Sequence, residues 1–276
     1  MSRSIMPVVL RSARSTAAAA AMALACAGIA GCASYAAPGG PADLGVMGVQ
    51  PQLAADREAQ TGATMQEKFD RKPLARFPAA IAVARVQAPG YRSRTARSYG
   101  GHGGAYSVVT TRDVEKPEHF EKLSKLELID GIGPINRLLL PTTGLRSDQE
   151  LREAAASMQA DMLLIYTLDT SVYVRDMAKP LSIVSLGLSP NQQARVTTTA
   201  SAVLMDTRNG YVYGLAEATD SYNRLASAWT NEDAIDAARI RTESAAFDKL
   251  VDELEKTWAG VVARYARPAA ARINGG

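Results

Sequence analysis

Reactive side chains are few in this 276-residue chain, and they gather at three places. The first is Cys32, directly behind Ile29-Ala30-Gly31. A thiol is the strongest nucleophile among the side chains and a common point of covalent modification. The second is the pair of histidines, His102 and His119, the side chains best suited to moving protons near neutral pH. The third is the loop from Tyr91 to Tyr106, where Arg92, Arg94 and Arg97 lead into Gly100-Gly101-His102-Gly103-Gly104. Guanidinium groups bind phosphates and carboxylates, and tyrosines add contact area at low entropic cost. Arg92, Arg94, Arg97, Tyr99, His102 and Tyr106 therefore form a candidate contact surface.

The same residues exclude much chemistry. A catalytic triad needs a histidine beside both a serine and a carboxylate, and no Gly-x-Ser-x-Gly elbow occurs. His102 reads as a plain loop residue and His119 as a solvated or half-buried one, so no catalytic residue is assigned. The glycine loop lacks the lysine and hydroxyl residue of a phosphate-cradling loop. Two histidines without matched spacing build no structural zinc site. Asp113, Glu115 and Glu118 lack the spacing of a calcium loop and read as a solvated acidic edge. No metal or other cofactor is expected.

Ahead of Cys32 stand Arg3, Arg11 and Arg14, no acid before Asp43, and an apolar run from Thr16 to Ala30. A basic start, a short greasy stretch and small residues at the cut are the parts of a secretory signal. The run is shorter than the ~20 residues of a membrane-spanning helix. Ile29-Ala30-Gly31-Cys32 resembles the lipobox of bacterial lipoproteins. Cys26, after Ala23-Leu24-Ala25, matches less well. The resemblance implies acylation of Cys32, palmitate included, with residues 1–31 removed. Ala33 stands where an aspartate would signal inner-membrane retention. That implies attachment to the inner leaflet of the outer membrane, facing the periplasm.

Cleavage alters the charge balance. Of 31 Lys plus Arg, removing Arg3, Arg11 and Arg14 leaves 28, against 28 Asp plus Glu. A basic face for nucleic acid loses its support. With Cys26 removed and Cys32 lipidated, the folded part holds no thiol, and stability must come from an apolar core.

These groups are positioned by one expected domain. Residues 32–77, opening on Pro38-Gly39-Gly40-Pro41, read as a flexible tether, with a short helix over 60–69. The domain is expected over 78–267, followed by a frayed tail, 268–276. Ala80–Val86 reads as a strand ended by Pro89-Gly90, and 106–111 as another. Residues 118–129 suit a short amphipathic helix, and 135–140 form a second apolar run before Pro141. Ser147 and Glu150 make a capping box for a helix with Leu151, Ala154, Ala155 and Met158 on one face. Met162–Tyr166 is apolar on both faces, the mark of a central strand. Residues 195–222 form a hairpin around Asp206–Gly210, expected to close through a three-residue loop with Gly210 left-handed. Its register then pairs Ala200 with Ala218, Ala202 with Ala216, Val203 with Leu215, Leu204 with Gly214 and Met205 with Tyr213. A long helix follows from Thr230 to Arg267, more than ~50 Å at 1.5 Å per residue. That outruns a small sheet. The helix is expected to bend near Thr242-Glu243-Ser244 or to offer its Trp258 and Tyr265 end to a partner.

The fold class is α/β (α+β-like): one mixed sheet with an antiparallel hairpin, packed by a capped helix and a long C-terminal helix. Ala154–Tyr166, an alanine-rich helix ending in Ala-Asp before a central strand, resembles a signature of the rhombotarget lipoprotein family, and the hairpin Ala202–Gly214 extends the likeness. More distantly, the layout is similar to the α/β domain of the curli-secretion lipoprotein and the amino-terminal domain of TolB. The resemblance covers roughly 78–265 and implies a cell-envelope protein with no catalytic residue to carry over. A non-catalytic binding or assembly role is expected, with an envelope protein or a second copy as partner and no nucleic acid. The alternatives are an oligomeric secretion-channel component, for which Ile183–Leu188 would be the membrane-inserting segment, and an envelope hydrolase using His102.

Overall fold

The computed structural model describes residues 40–43, 45, 66–141, 144–176, 192–226 and 232–266. Cys32, the signal segment, Ile183–Leu188, Thr230 and the tail lie outside the described residues.

A single mixed sheet carries the fold. Strand β1 (Ala79–Gln87) sits at its centre. One edge of β1 is shared: β4 (Ile129–Pro134) runs parallel along its first half, and β3 (Ser107–Val109) antiparallel along its last three residues. The short β2 (Ser98–Tyr99) adds outside β3. On the other side β5 (Met162–Asp176) runs parallel to β1, followed by antiparallel β6 (Gln192–Asp206) and β7 (Val212–Ala226). Between them come α1 (Pro117–Ser124), a 3₁₀ turn (Arg137–Leu139), α2 (Asp148–Ser157) and α3 (Glu232–Tyr265).

Alternation along the strands sorts two cores, since successive side chains point to opposite faces. Ile81, Val83, Leu164, Leu204 and Ala202 face α3, whose Phe247, Leu250, Val251, Leu254 and Trp258 cover them. Ala82, Ala84, Leu163, Ile165 and Val203 face α2, which contributes Leu151, Ala154 and Ala155. The Ser147–Glu150 capping box forms as expected: the Ser147 N–H donates to Glu150 Oε2 at 3.0 Å.

The hairpin register holds at four of the five expected pairs. Beyond Leu204↔Gly214 the pairing shifts, so Met205 opposes Val212 and Tyr213 is the extra residue of a bulge. Gly210 is left-handed, φ 70°. The small-residue face does admit a helix closely: a Cβ on Gly214 would stand 2.5 Å from Thr257 Cγ2.

Several expectations are corrected. The strand before α2 is Ile129–Pro134, and the apolar run after it turns as a 3₁₀ segment. The long helix does not outrun its sheet. Its 34 residues span about 51 Å, and strands of 15 residues reach about 50 Å. The strands are simply three times longer than the apolar run Met162–Tyr166 suggests, because beyond Leu168 β5 turns polar and pairs with equally polar β6.

The expected flexible tether is docked where it is described. Pro41 bridges Gln87, and the Ala42 N–H donates to Thr167 Oγ1 at 3.1 Å. Ala42 fills the wedge where β1 and β5 part after Ala84↔Ile165. Further on, the Leu74 N–H donates to Asp206 Oδ2 and the Ala75 N–H to Tyr213 Oη. Such single docking contacts leave no periodicity to read. Residues 66–70 are helical.

Candidate functional site

Arg85 lies in the middle of an apolar strand, on the α3 face, with its side chain 1% exposed. A guanidinium so deep must be paired, and three elements bring it partners. The turn after β3 supplies Asp113, whose Oδ1 accepts from Nη1 at 2.9 Å, and Glu115, at 3.4 Å. Helix α3 brings Glu243, 3.6 Å from Nη2. The loop after β1 folds back and places the Tyr91 hydroxyl 3.1 Å from Nη2. Tyr166 on β5 donates to Glu115 Oε1 at 2.6 Å.

A second buried arginine extends the cluster. Arg239, one turn before Glu243 on α3, donates to Glu243 Oε2 at 2.7 Å, to Asp236 Oδ1 at 3.0 Å and to Ser93 Oγ at 3.2 Å. Thr95 Oγ1 donates to Asp113 Oδ2 at 2.5 Å, and Thr170 joins Glu243 to Thr198. Two cations and four carboxylates thus tie β1, β5, α3 and the 91–96 loop together.

The electrostatics follow from this arrangement. Burial alone would pull Arg85 down, but the opposing charges, Glu115 foremost, hold it above its ordinary value. Arg239 is likewise pulled down by burial and held up by Glu243 and Asp236. The phenols of Tyr91 and Tyr166 are pushed up, chiefly by burial. All four groups keep their neutral-pH forms. Arg85 Nε and Glu115 Oε2 have no hydrogen-bond partner among the described residues. Both residues line a small notch where β3 and β4 leave a gap along β1, with Arg112, Phe120 and Tyr166. Arg112 lies over the Phe120 ring, 4.6 Å from its centroid.

These carboxylates correct the expected solvated acidic edge: Glu115 is buried, because Arg85 needs a counter-charge. The polar triplet at Thr242-Glu243-Ser244 lies inside one unbroken helix. Its Glu243 points inward at Arg85. The sequence carries two signals for this cluster: a lone arginine inside Ala80–Val86, and an Arg–Glu pair four apart on the buried face of α3.

The six loop residues expected to form a contact surface separate. Arg92, Arg94, Arg97 and His102 are exposed, and Tyr99 is partly covered, with Arg137 over its ring at 5.7 Å. Tyr106 is fully buried, its hydroxyl donating to the Ser147 carbonyl at 2.8 Å, and it anchors the loop from within. Trp258 is corrected in the same way. It is 5% exposed, donates to the Glu127 carbonyl at 2.8 Å and packs on Phe77. Tyr265 is partly buried, its hydroxyl 2.9 Å from that of Tyr211. Both face the protein's own sheet. His119 is buried against Phe247, its Nδ1 accepting from the Lys116 N–H and its Nε2 bonded to Asp248. Among the described residues no group of three His, Cys, Asp or Glu could hold a metal ion, and no helix is long and apolar enough to cross a membrane.

No family model and no curated protein matches the chain. Solved structures similar in part include a candidate lipoprotein from Caulobacter crescentus CB15, 18% identical over 38% of this chain and 69% of that one, with a TM-score of 0.24. A PelC dodecamer from Paraburkholderia phytofirmans is 12% identical over 65% of this chain and 95% of that one, TM-score 0.21. A DUF330 protein from Xanthomonas campestris is 10% identical over 66% and 87%, TM-score 0.24. At these scores the likeness is too slight to bear on function.

Proposed function

We propose that the chain is a lipid-anchored protein of the cell envelope, held by Cys32 in the inner leaflet of the outer membrane and serving in the periplasm as a non-catalytic binding or assembly component. One observation carries the non-catalytic reading. Among the described residues the gathering of ionisable groups around Arg85 and Arg239 is spent mainly on itself: each guanidinium and carboxylate faces an opposite charge inside the protein and together they fix a loop, with Arg85 Nε and Glu115 Oε2 left over at the notch. Catalytic groups instead face a substrate cleft with their reactive atoms free. His102, the one histidine in a glycine-rich loop, stands exposed on a surface with no serine–carboxylate pair beside it in the contacts described. The anchor rests on Ile29-Ala30-Gly31-Cys32.

The partner is an envelope protein or a second copy of the chain. The test is intact-mass analysis of the protein extracted from native membranes, after mild crosslinking and affinity capture. Acylated Cys32 together with a reproducible crosslinked envelope protein is the expected result. An unmodified cysteine overturns the anchor. Turnover of ester, peptide or glycan substrates that disappears in His102→Ala overturns the non-catalytic role.

A further inference from the structure

The charges outside the buried cluster are unevenly placed. Residues 88–112 contain Arg92, Arg94, Arg97 and Arg112 and no acid; residues 131–147 contain Arg137 and Arg146 and no acid. The fold joins these two segments at one corner of the sheet. Arg97 leads into the edge strand β2, and Arg137 of the 3₁₀ turn lies over the Tyr99 ring. Asp113, the first acid after the loop, is already taken by Arg85 and Thr95. Beside these arginines Leu138 is 80% exposed and Leu139 39%. Arginine, tyrosine and bare leucine on one corner is the composition of a surface that meets lipid headgroups, with the ring at the headgroup level and the apolar tips below it.

The chain itself says which surface is near. Gly40 accepts from the Ala88 N–H, and Pro41 pairs antiparallel with Gln87, so the chain leading back to Cys32 leaves from the same end of β1. Gly40 lies eight positions after Cys32, a span that reaches at most about 29 Å when fully extended. Three strand spacings of about 4.8 Å carry one from β5 to β2, so the corner lies within that reach.

We infer that the corner formed by Arg97, Tyr99, Arg137, Leu138 and Leu139 lies against the anionic phospholipid surface that holds the anchor. This rests on Cys32 being that anchor. Anionic lipid attracts the arginines over about one Debye length, 8 Å at physiological ionic strength, and the leucines fix the depth. The domain is then held to the bilayer at two points and keeps one orientation.

The experiment uses the full chain as the cell processes it, carrying Leu138→Cys and labelled with an environment-sensitive fluorophore. Its own cysteines are Cys26 and Cys32 only. Lys125→Cys, exposed at the end of α1 and next to the start of β4, is the control at the opposite end of the sheet. On vesicles of phosphatidylcholine with one-third phosphatidylglycerol, the position-138 probe should shift to the blue and brighten at least twofold. The shift should fade in 0.5 M salt and vanish in Arg97→Glu/Arg137→Glu, while the position-125 probe stays unchanged. An equal response on phosphatidylcholine alone, or none on either vesicle, overturns the inference. So does a silent probe on vesicles that becomes crosslinked to an acidic protein in native envelopes. Intact mass separates the two readings. Acylated Cys32 with a silent probe defeats the corner alone, and unmodified Cys32 with a salt-sensitive shift defeats the anchor alone.

Discussion

Arg85 and Arg97 stand twelve positions apart and meet opposite fates. Arg85 is enclosed and gathers Asp113, Glu115 and Glu243, with Tyr91 alongside. Arg97 is exposed at an edge strand, in a stretch with no acid. The contrast shows how environment sets an arginine's task. A buried guanidinium holds structure, since its desolvation is offset only by partners in fixed geometry. An exposed one in a stretch without acids keeps its field for something outside.

The largest effect should come from breaking the buried side. Arg85→Ala leaves Asp113 and Glu115 without their cation, and Glu243 with Arg239 alone, and should cost about 3–5 kcal/mol, read from urea unfolding. A loss under 1 kcal/mol would mean that the cluster is not the keystone drawn here. Next, Gly214→Ala places a methyl against Thr257 and should cost roughly 1–3 kcal/mol by overpacking. Adding Thr257→Ser should restore most of it, since the clashing Cγ2 is removed. That pair sharpens the comparison, because it measures apolar closeness on the same helix that carries Glu243.

A smaller effect belongs to Glu150. Partial burial pushes its carboxyl up, but hydrogen bonds from its own N–H, the Ser147 hydroxyl and the N–H groups of Arg146 and Ser147 outweigh this and hold it below the usual value. A depressed pKa means that stability is present above the unfolded carboxylate value and lost as pH falls through the folded one. Glu150→Gln should therefore cost about 1 kcal/mol at pH 7, and the gap to the parent should close towards pH 3. A gap constant with pH would assign the loss to packing. Smallest of all, Arg97→Ala should change stability by no more than ~0.5 kcal/mol. A larger loss would move Arg97 to the structural side and erase the contrast.

Some of this was open to inspection beforehand. The Ser147–Glu150 cap, the central strand at Met162 and the alanine face of the hairpin follow from local spacing, and the structure reproduces them. Strand lengths did not follow. At 169–176 and 192–199 the residues are mostly threonines, serines and charges, which pair as strands only because both neighbours extend equally far. Trp258 and Tyr106 illustrate the same limit from the other side. An aromatic at the end of a long helix or a glycine loop looks available until the chain folds Phe77 or Ser147 against it.

The sequence alone determined the elements whose cause is local: a cap four residues long, a glycine with positive φ at a turn, a basic and apolar leader before a cysteine, two acid-free stretches. Those depend on neighbours along the chain. The tertiary structure alone decided which charges were buried and which were left to act. Arg85, Asp113, Glu115, Arg239 and Glu243 are up to 158 positions apart, and apart from the i, i+4 step between Arg239 and Glu243 no spacing relates them. They meet because β1 lies beneath α3 and the 91–96 loop folds back, and because a desolvated charge must find a partner wherever the fold can supply one.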